Sequence, residues 1–260
     1  MTKNNPYDKT APLYDYDPRD IVKADIPFYL EYATKYPGEI LELACGTGRV
    51  AIPLAQNGCK VYGIDLSDSM LEQFKLKLTL EPEQVSDNIR FEKNDMTGFQ
   101  LNRKFSLIIV AFRSFQALTS EESQRKCLKC VLDHLIDDGA FIINVFQPYQ
   151  KMDESWVFLE TLQWETTDEK TGARIIKKHR GVKIDLREQI IYPEMIYQLF
   201  KPSGEIEEVR ELLKLKYYYY EQIKGLLESE GFMINEEYGY YDKSGIGQVK
   251  EMIFVCRKYV

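Results

Sequence analysis

The sequence predicts an α/β fold built on a mostly parallel sheet, and three observations carry that reading. Apolar strand-like runs alternate with amphipathic helical runs between Gly38 and Val145. Alternation of this kind suits a parallel sheet covered on both faces, because each crossover must return across one face. The apolar run Ile40-Leu41-Glu42-Leu43 leads into Ala44-Cys45-Gly46-Thr47-Gly48, a strand followed by a glycine turn and a helix start. Nineteen residues beyond Gly46, a second strand, Val61-Tyr62-Gly63-Ile64, ends on Asp65. An acidic residue there takes both hydroxyls of a ribose, while the glycines and the helix N-terminus let a ligand approach the backbone. These features describe a nucleoside-binding site near the N-terminus.

The elements follow in order. Residues 20–36 place Ile21, Ala24, Phe28, Ala33 and Tyr36 at three- and four-residue spacing, which predicts a helix entered or kinked at Pro27. Strands are expected near 39–44, 60–65, 89–93, 105–110 and 140–145, with helices near 48–57, 68–80 and 119–135. Ser67 or Asp68 caps the second of these helices, and Thr119 or Ser120 opens the third. After Gln147-Pro148 the texture changes. Residues 156–167, 174–185, 189–200 and 207–216 are β-prone, partly alternating and separated by turn signals, as in an inserted antiparallel meander. A helix over 217–230 stops at Gly231, and strands over 232–241 and 251–259 finish the chain. The expected organisation is a cofactor-binding core with its N-terminal segment over 1–150, an inserted β subdomain over 151–216, and 217–260 completing the core sheet.

Composition excludes several classes. The 260 residues carry 34 basic and 41 acidic side chains, a net charge of −7, which argues against a general nucleic-acid binder. No run approaches the ~20 apolar residues of a membrane-spanning helix, and Met1-Thr2-Lys3-Asn4-Asn5-Pro6 lacks the apolar core of a signal peptide. The expectation is a soluble, cytoplasmic protein with no membrane partner. The five cysteines suit a reducing compartment. Cys127, Cys130 and His134 share one helical face, but no fourth ligand completes a set, so they read as core residues of an amphipathic helix and no metal is expected.

The segment Glu42-Leu43-Ala44-Cys45-Gly46-Thr47-Gly48 resembles motif I of the class I S-adenosylmethionine-dependent methyltransferases. Residues 64–71, Ile-Asp-Leu-Ser-Asp-Ser-Met-Leu, resemble that family's ribose and adenine segment, and residues 91–96, Phe-Glu-Lys-Asn-Asp-Met, its adenine-edge segment. Residues 105–112 and 135–144 resemble its fourth strand and its turn into the fifth. The resemblance implies a Rossmann-like methyltransferase sheet of seven strands with an antiparallel last strand. It also implies S-adenosyl-L-methionine as cofactor and S-adenosyl-L-homocysteine as product. Carried onto matching positions, Gly46, Thr47 and Gly48 pass close to the cofactor, and Ala44 offers its carbonyl to the methionine ammonium. Asp65 binds the ribose, Leu66 and Met70 pack on the adenine, and Asp95 with Met96 reads the adenine edge. Val110, Ala111 and Phe112 lie beside the methionine portion.

The acceptor side is marked less clearly. Leu13-Tyr14-Asp15-Tyr16 resembles the family's N-terminal segment, which implies that Tyr14 folds over the cofactor. Arg113 follows the fourth strand, where acceptor-orienting residues occur, so Tyr14 and Arg113 are the candidate catalytic residues. His179, in the run Lys177-Lys178-His179-Arg180, reads as part of an exposed strand edge. Residues 94–96, 110–118 and the inserted sheet together resemble the small-molecule branch, which includes amino-sugar N,N-dimethyltransferases and glycine N-methyltransferase. The expected partner is a small-molecule acceptor methylated on N or O rather than C, and the expected state is a monomer or homodimer. Two alternatives share parts of the pattern. An NAD-dependent oxidoreductase would use the same glycine turn and Asp65, and a non-catalytic S-adenosylmethionine-binding module would explain the lack of an evident general base.

Overall fold

A computed structural model describes residues 5, 7–148, 151–247 and 251–259; the boundary expected at 150 lies outside them. Strands β1 (Glu39–Leu43), β2 (Lys60–Asp65), β3 (Ile89–Lys93), β4 (Phe105–Val110), β5 (Leu135–Phe146), β11 (Phe232–Tyr238) and β12 (Glu251–Lys258) form one sheet in the order β11-β12-β5-β4-β1-β2-β3. The pairs β1–β2, β1–β4, β2–β3 and β4–β5 are parallel, while β12 runs antiparallel to both β5 and β11. The sheet is the expected seven-stranded one, with its antiparallel strand second from the edge.

Alternation along the central strands, interrupted by a register shift between Phe105 and Leu107, divides their side chains between two cores. Ile40, Leu107, Ile109, Ala140, Ile142, Ile253 and Val255 face the first. Leu41, Leu43, Ile108, Val110, Phe141, Ile143, Val145, Met252, Phe254 and Cys256 face the second. Helices α1 (Ile26–Lys35), α2 (Ala51–Gln56) and α3 (Asp68–Leu78) supply Phe28, Tyr32, Leu54 and Phe74 to the first core. The short α4 (Glu83–Ser86) adds Val85 to it. Helices α5 (Glu121–His134) and α6 (Tyr220–Ser229) supply Cys127, Leu128, Val131, Ile223 and Leu227 to the second. Each fully buried Leu, Ile or Phe contributes roughly 1.5–3 kcal/mol, so the two-sided burial holds β1 and β4 rigidly and fixes where their C-terminal ends open.

Pro27 lies in the first turn of α1, so the expected helix is entered there rather than kinked. Residues Asp20–Val22 form a separate 3-10 turn. Ser67 caps α3 by accepting the Met70 N–H at 3.1 Å, and Ser120 caps α5. His134 is satisfied in place: Nε2 accepts from Leu101 N at 2.9 Å and Nδ1 meets the Cys130 carbonyl at 2.7 Å.

A second, antiparallel sheet contains β6 (Phe158–Thr167), β7 (Arg174–Asp185), β8 (Ile190–Phe200), β9 (Ile206–Leu212) and β10 (Leu215–Lys216). The last expected meander strand is split in two. Leu213 N donates instead to the Pro193 carbonyl at 2.9 Å, so β9 and β10 pair separately with β8. One face of this sheet packs Trp164, Ile175 and Tyr197 onto Leu13 and Tyr16 of the N-terminal segment. Gln116 ties it to the core: its carboxamide oxygen accepts from Phe146 N at 2.7 Å and its nitrogen donates to the Lys216 carbonyl.

Candidate active site

The site forms where β1, β2 and β4 end. Ala44 (φ 54°), Gly46 (φ 54°) and Gly48 (φ 76°) all occupy left-handed backbone in the turn after β1. A Cβ on Gly48 would lie 2.2 Å from the Phe74 ring, so glycine is required by both angle and space. A Cβ on Gly46 would meet only Met70 Sδ at 4.0 Å, which leaves that backbone open to close approach. After β4, Phe112 (φ 50°) and Arg113 (φ 68°) are also left-handed. Strained non-glycine backbone of this kind concentrates at functional sites.

Asp65 closes the glycine turn. Its Oδ2 accepts from Gly46 N and its Oδ1 from Ser67 N, both at 2.8 Å. A carboxylate offers about four lone-pair sites, so these N–H groups leave it room for a hydroxyl donor. Burial pushes its carboxyl above the usual carboxylate range, opposed by the Ser67 and Gly46 N–H groups. Beside it, Met70 is buried and Leu66 is half exposed. Asp95 is exposed and its Oδ1 accepts from Thr97 N and Oγ1, both at 2.8 Å, so it is a turn residue whose Oδ2 has no partner in that turn. Met96 is half-buried against the second core. Val110 and Ala111 are buried, and Phe112 packs on the first core.

The N-terminal segment is strapped across this turn. Thr47 Oγ1 donates to Asp15 Oδ1 at 2.8 Å, Lys77 Nζ to Asp15 Oδ2 at 3.0 Å, and Ser67 Oγ to Asp8 Oδ1 at 2.7 Å. Tyr14 sits in a 3-10 turn, Ala11–Tyr16, with its ring edge-on to Tyr7 at 6.4 Å. Burial pushes its hydroxyl up to about 12, so at neutral pH it stays protonated, with an O–H available to donate.

Several residues that sequence reasoning did not single out complete the site. Arg49, directly after the glycine turn, donates to both Asp25 oxygens at 2.7 and 2.6 Å and to the Val22 carbonyl at 2.6 Å. Its guanidinium lies 4.7 Å from the Phe112 ring centroid, and the Asp25 side chain is fully buried. Glu42, on β1 between Leu41 and Leu43, is 3% exposed, and its Oε2 has no hydrogen-bond partner among the described residues. Burial pushes its carboxyl up to about 8. A buried carboxylate oxygen without a donor suits a cation such as the methionine ammonium, so the residues present fit S-adenosylmethionine. Arg113 is engaged otherwise: it forms a bidentate pair with Glu251 of β12, and its N–H donates to Asn144 Oδ1 at 3.1 Å. His179 is not on an exposed edge, because β7 is paired on both sides and the ring is half-buried with Nδ1 fully covered. A cavity of about 680 Å³ opens beside Gly48 and Arg49, between the N-terminal segment and helices α1 to α3, lined among others by Tyr14, Arg19, Pro53, Lys77, Phe112 and, from the second sheet, Lys177.

Glu42 gives the site a pH signature. Between the ordinary carboxylate range and about 8, native Glu42 holds a proton that the unfolded chain releases, so folding stability falls as pH rises through that window. Ammonium binding to the carboxylate favours the deprotonated form, so cofactor affinity is expected to rise with pH toward about 8. Calorimetric titration with S-adenosylmethionine across this range checks it, and Glu42→Gln should flatten both dependences. A cofactor affinity independent of pH in the parent enzyme would remove Glu42 from the site.

Residues 40–139 match the family model described as a methyltransferase domain. The chain is similar to a putative methyltransferase of Geobacillus sp. (strain WCH70), 26% identical over 228 residues that cover 88% of this chain and 87% of that protein. It is also similar to the dTDP-3-amino-3,4,6-trideoxy-alpha-D-glucopyranose N,N-dimethyltransferase of Streptomyces venezuelae, 24% identical over 152 residues, 58% of this chain and 60% of that protein. Its fold is like that of the CcbJ methyltransferase from Streptomyces caelestis, with a TM-score of 0.80, 21% identity and 98% of each chain covered. These matches favour the methyltransferase expectation over the nicotinamide alternative. Residues 40–139 thus form a methyltransferase domain, and the chain is an enzyme that takes S-adenosylmethionine as its cofactor.

Proposed function

We propose that this enzyme methylates an amine nitrogen on a small, polar, sugar-sized acceptor. The cavity of about 680 Å³ beside Gly48, Arg49 and Phe112, walled by the N-terminal segment and reached by Lys177, carries this reading, since its size suits a small metabolite rather than a polymer. The N,N-dimethylation named for the Streptomyces venezuelae relative supports nitrogen as the atom. When bound, the cofactor supplies a methyl group already activated on a sulfonium.

The chain's own residues then have limited tasks. Asp65 holds the ribose hydroxyls, Asp95 and Met96 meet the adenine edge, and Leu66 and Met70 flank its ring. Glu42 and the Ala44 carbonyl hold the ammonium, while the left-handed backbone at Gly46 and Gly48 allows close passage. Val110, Ala111 and Phe112 line the methionine side. Tyr14 covers the site, excludes water and donates a hydrogen bond from a hydroxyl that stays protonated. An amine that arrives with its lone pair free needs orientation more than a base. The N-terminal segment together with residues 151–216 acts as the acceptor enclosure, 1–150 and 217–260 as the cofactor core, and a monomer or homodimer serves equally.

A panel of amino sugars, their hydroxyl isosteres and short peptides, analysed by product mass spectrometry, tests this. Methylated amines from the amino-sugar arm alone are the expected result. Turnover on the hydroxyl isosteres or the peptides in place of the amines would contradict it.

A further inference from the structure

We propose that the inner face of the second sheet recognises an anionic group, a carboxylate or phosphate, on the acceptor through Lys177, His179 and Trp164. This rests on the reading of the cavity as the acceptor site. Trp164 and Tyr197 are the cross-strand partners of Lys177 on β6 and β8, so all three project from the face that meets Leu13 and Tyr16. His179 lies two residues along β7 on the same face.

The cations of this cavity differ in how they are satisfied. Arg49 is held by Asp25, Arg19 by Asp17 at 2.8 and 2.6 Å, and Lys77 by Asp15. Lys23 is exposed to solvent. Lys177 has neither a carboxylate nor a hydrogen-bond acceptor among the described residues; its Nζ rests 5.1 Å from the Tyr197 ring centroid and 5.9 Å from that of Trp164. Two aromatic faces stabilise the charge but leave its N–H groups unfilled.

The neighbouring donors are unfilled as well. Trp164 is 5% exposed and its Nε1 has no acceptor among the described residues, and His179 Nδ1 is buried with no partner among them. A buried N–H left unpaired loses its hydration without a replacement bond, which destabilises the empty site. One sheet face therefore carries a cation that lines the cavity and, beside it, an indole N–H and an imidazole nitrogen, all without acceptors among the described residues. An anion on the acceptor supplies what is missing. The acidic residues around Lys177 do not compete for this role: Asp17 is taken by Arg19, and Glu211 lies two strands away on β9. Burial also drives Lys177 down to about 8, a cost that a bound anion offsets.

The test uses the full chain saturated with S-adenosylhomocysteine and labelled with 13Cε-lysine. The Lys177 resonance is assigned by its loss in Lys177→Gln, and the probes are inorganic phosphate, acetate, glucose 1-phosphate and uncharged glucose. The expected result is a saturable shift of that resonance with the anions but not with glucose. In calorimetry, Lys177→Gln should weaken glucose 1-phosphate binding about ten- to one-hundred-fold, the range for hydrogen bonds to a charged group. Lys177→Arg should restore most of the loss, and affinity for S-adenosylhomocysteine should be unchanged in both variants. No response to any anion at millimolar concentration, an equal response to glucose, or unaltered anion binding by Lys177→Gln would each overturn the proposal. Failure of the parent enzyme to bind S-adenosylhomocysteine would instead count against the cofactor site.

Discussion

Replacing Asp25 by alanine is expected to cost about 3–5 kcal/mol of folding stability, the penalty for removing one partner of a buried ion pair. Asp25 is fully buried at the entry to α1, and Arg49 is 15% exposed. Without the carboxylate, the guanidinium would retain the Val22 carbonyl and the Phe112 ring but lose its ion-pair partner. Because Arg49 follows Gly48 directly and touches Phe112, the same change should loosen the turns after β1 and β4 and lower cofactor affinity. Urea unfolding monitored by circular dichroism measures the first effect and calorimetry the second. An apolar double variant, Asp25→Leu with Arg49→Met, should recover much of the stability without the cofactor affinity. A loss under about 1 kcal/mol for Asp25→Ala would show that the pair is not the clamp described.

Asp65→Ala should weaken S-adenosylmethionine binding by roughly 1.5–3 kcal/mol, the range for hydrogen bonds to a charged acceptor. The carboxylate also accepts from Gly46 N and Ser67 N. The substitution therefore leaves two backbone donors unfilled, and a drop in stability should accompany the loss of affinity. Asp65→Asn separates the two effects, since its amide oxygen retains one backbone bond while the carboxylate charge is gone. Cofactor affinity unchanged in a folded Asp65→Ala enzyme would take Asp65 out of the site.

Much of the fold was legible because its signals are local. The run Phe105–Val110 is buried at every position, and Gly46, Gly48 and Asp65 sit where turn chemistry demands. What escaped depends on contacts distant in sequence. Nothing in periodicity joins Asp25 to Arg49, or Arg113 to Glu251 across 138 residues. The charged run around His179 has the composition of a solvated edge, yet it lies on β7, which is paired on both sides, so its residues alternate between two faces. Arg180 pairs outward with Glu194, while Lys177 turns inward onto Tyr197 and Trp164. The 3-10 turn bearing Tyr14 has no repeat to read, since it is held by its contacts with the glycine turn and the second sheet.

A crystal structure with S-adenosylhomocysteine bound tests the central claim most directly. Ribose hydroxyls on Asp65, the ammonium at Glu42 and the Ala44 carbonyl, and the sulfur facing the cavity lined by Tyr14, Phe112 and Lys177 are the predicted result. A nucleoside bound away from Asp65, or a sulfur turned from that cavity, would contradict it.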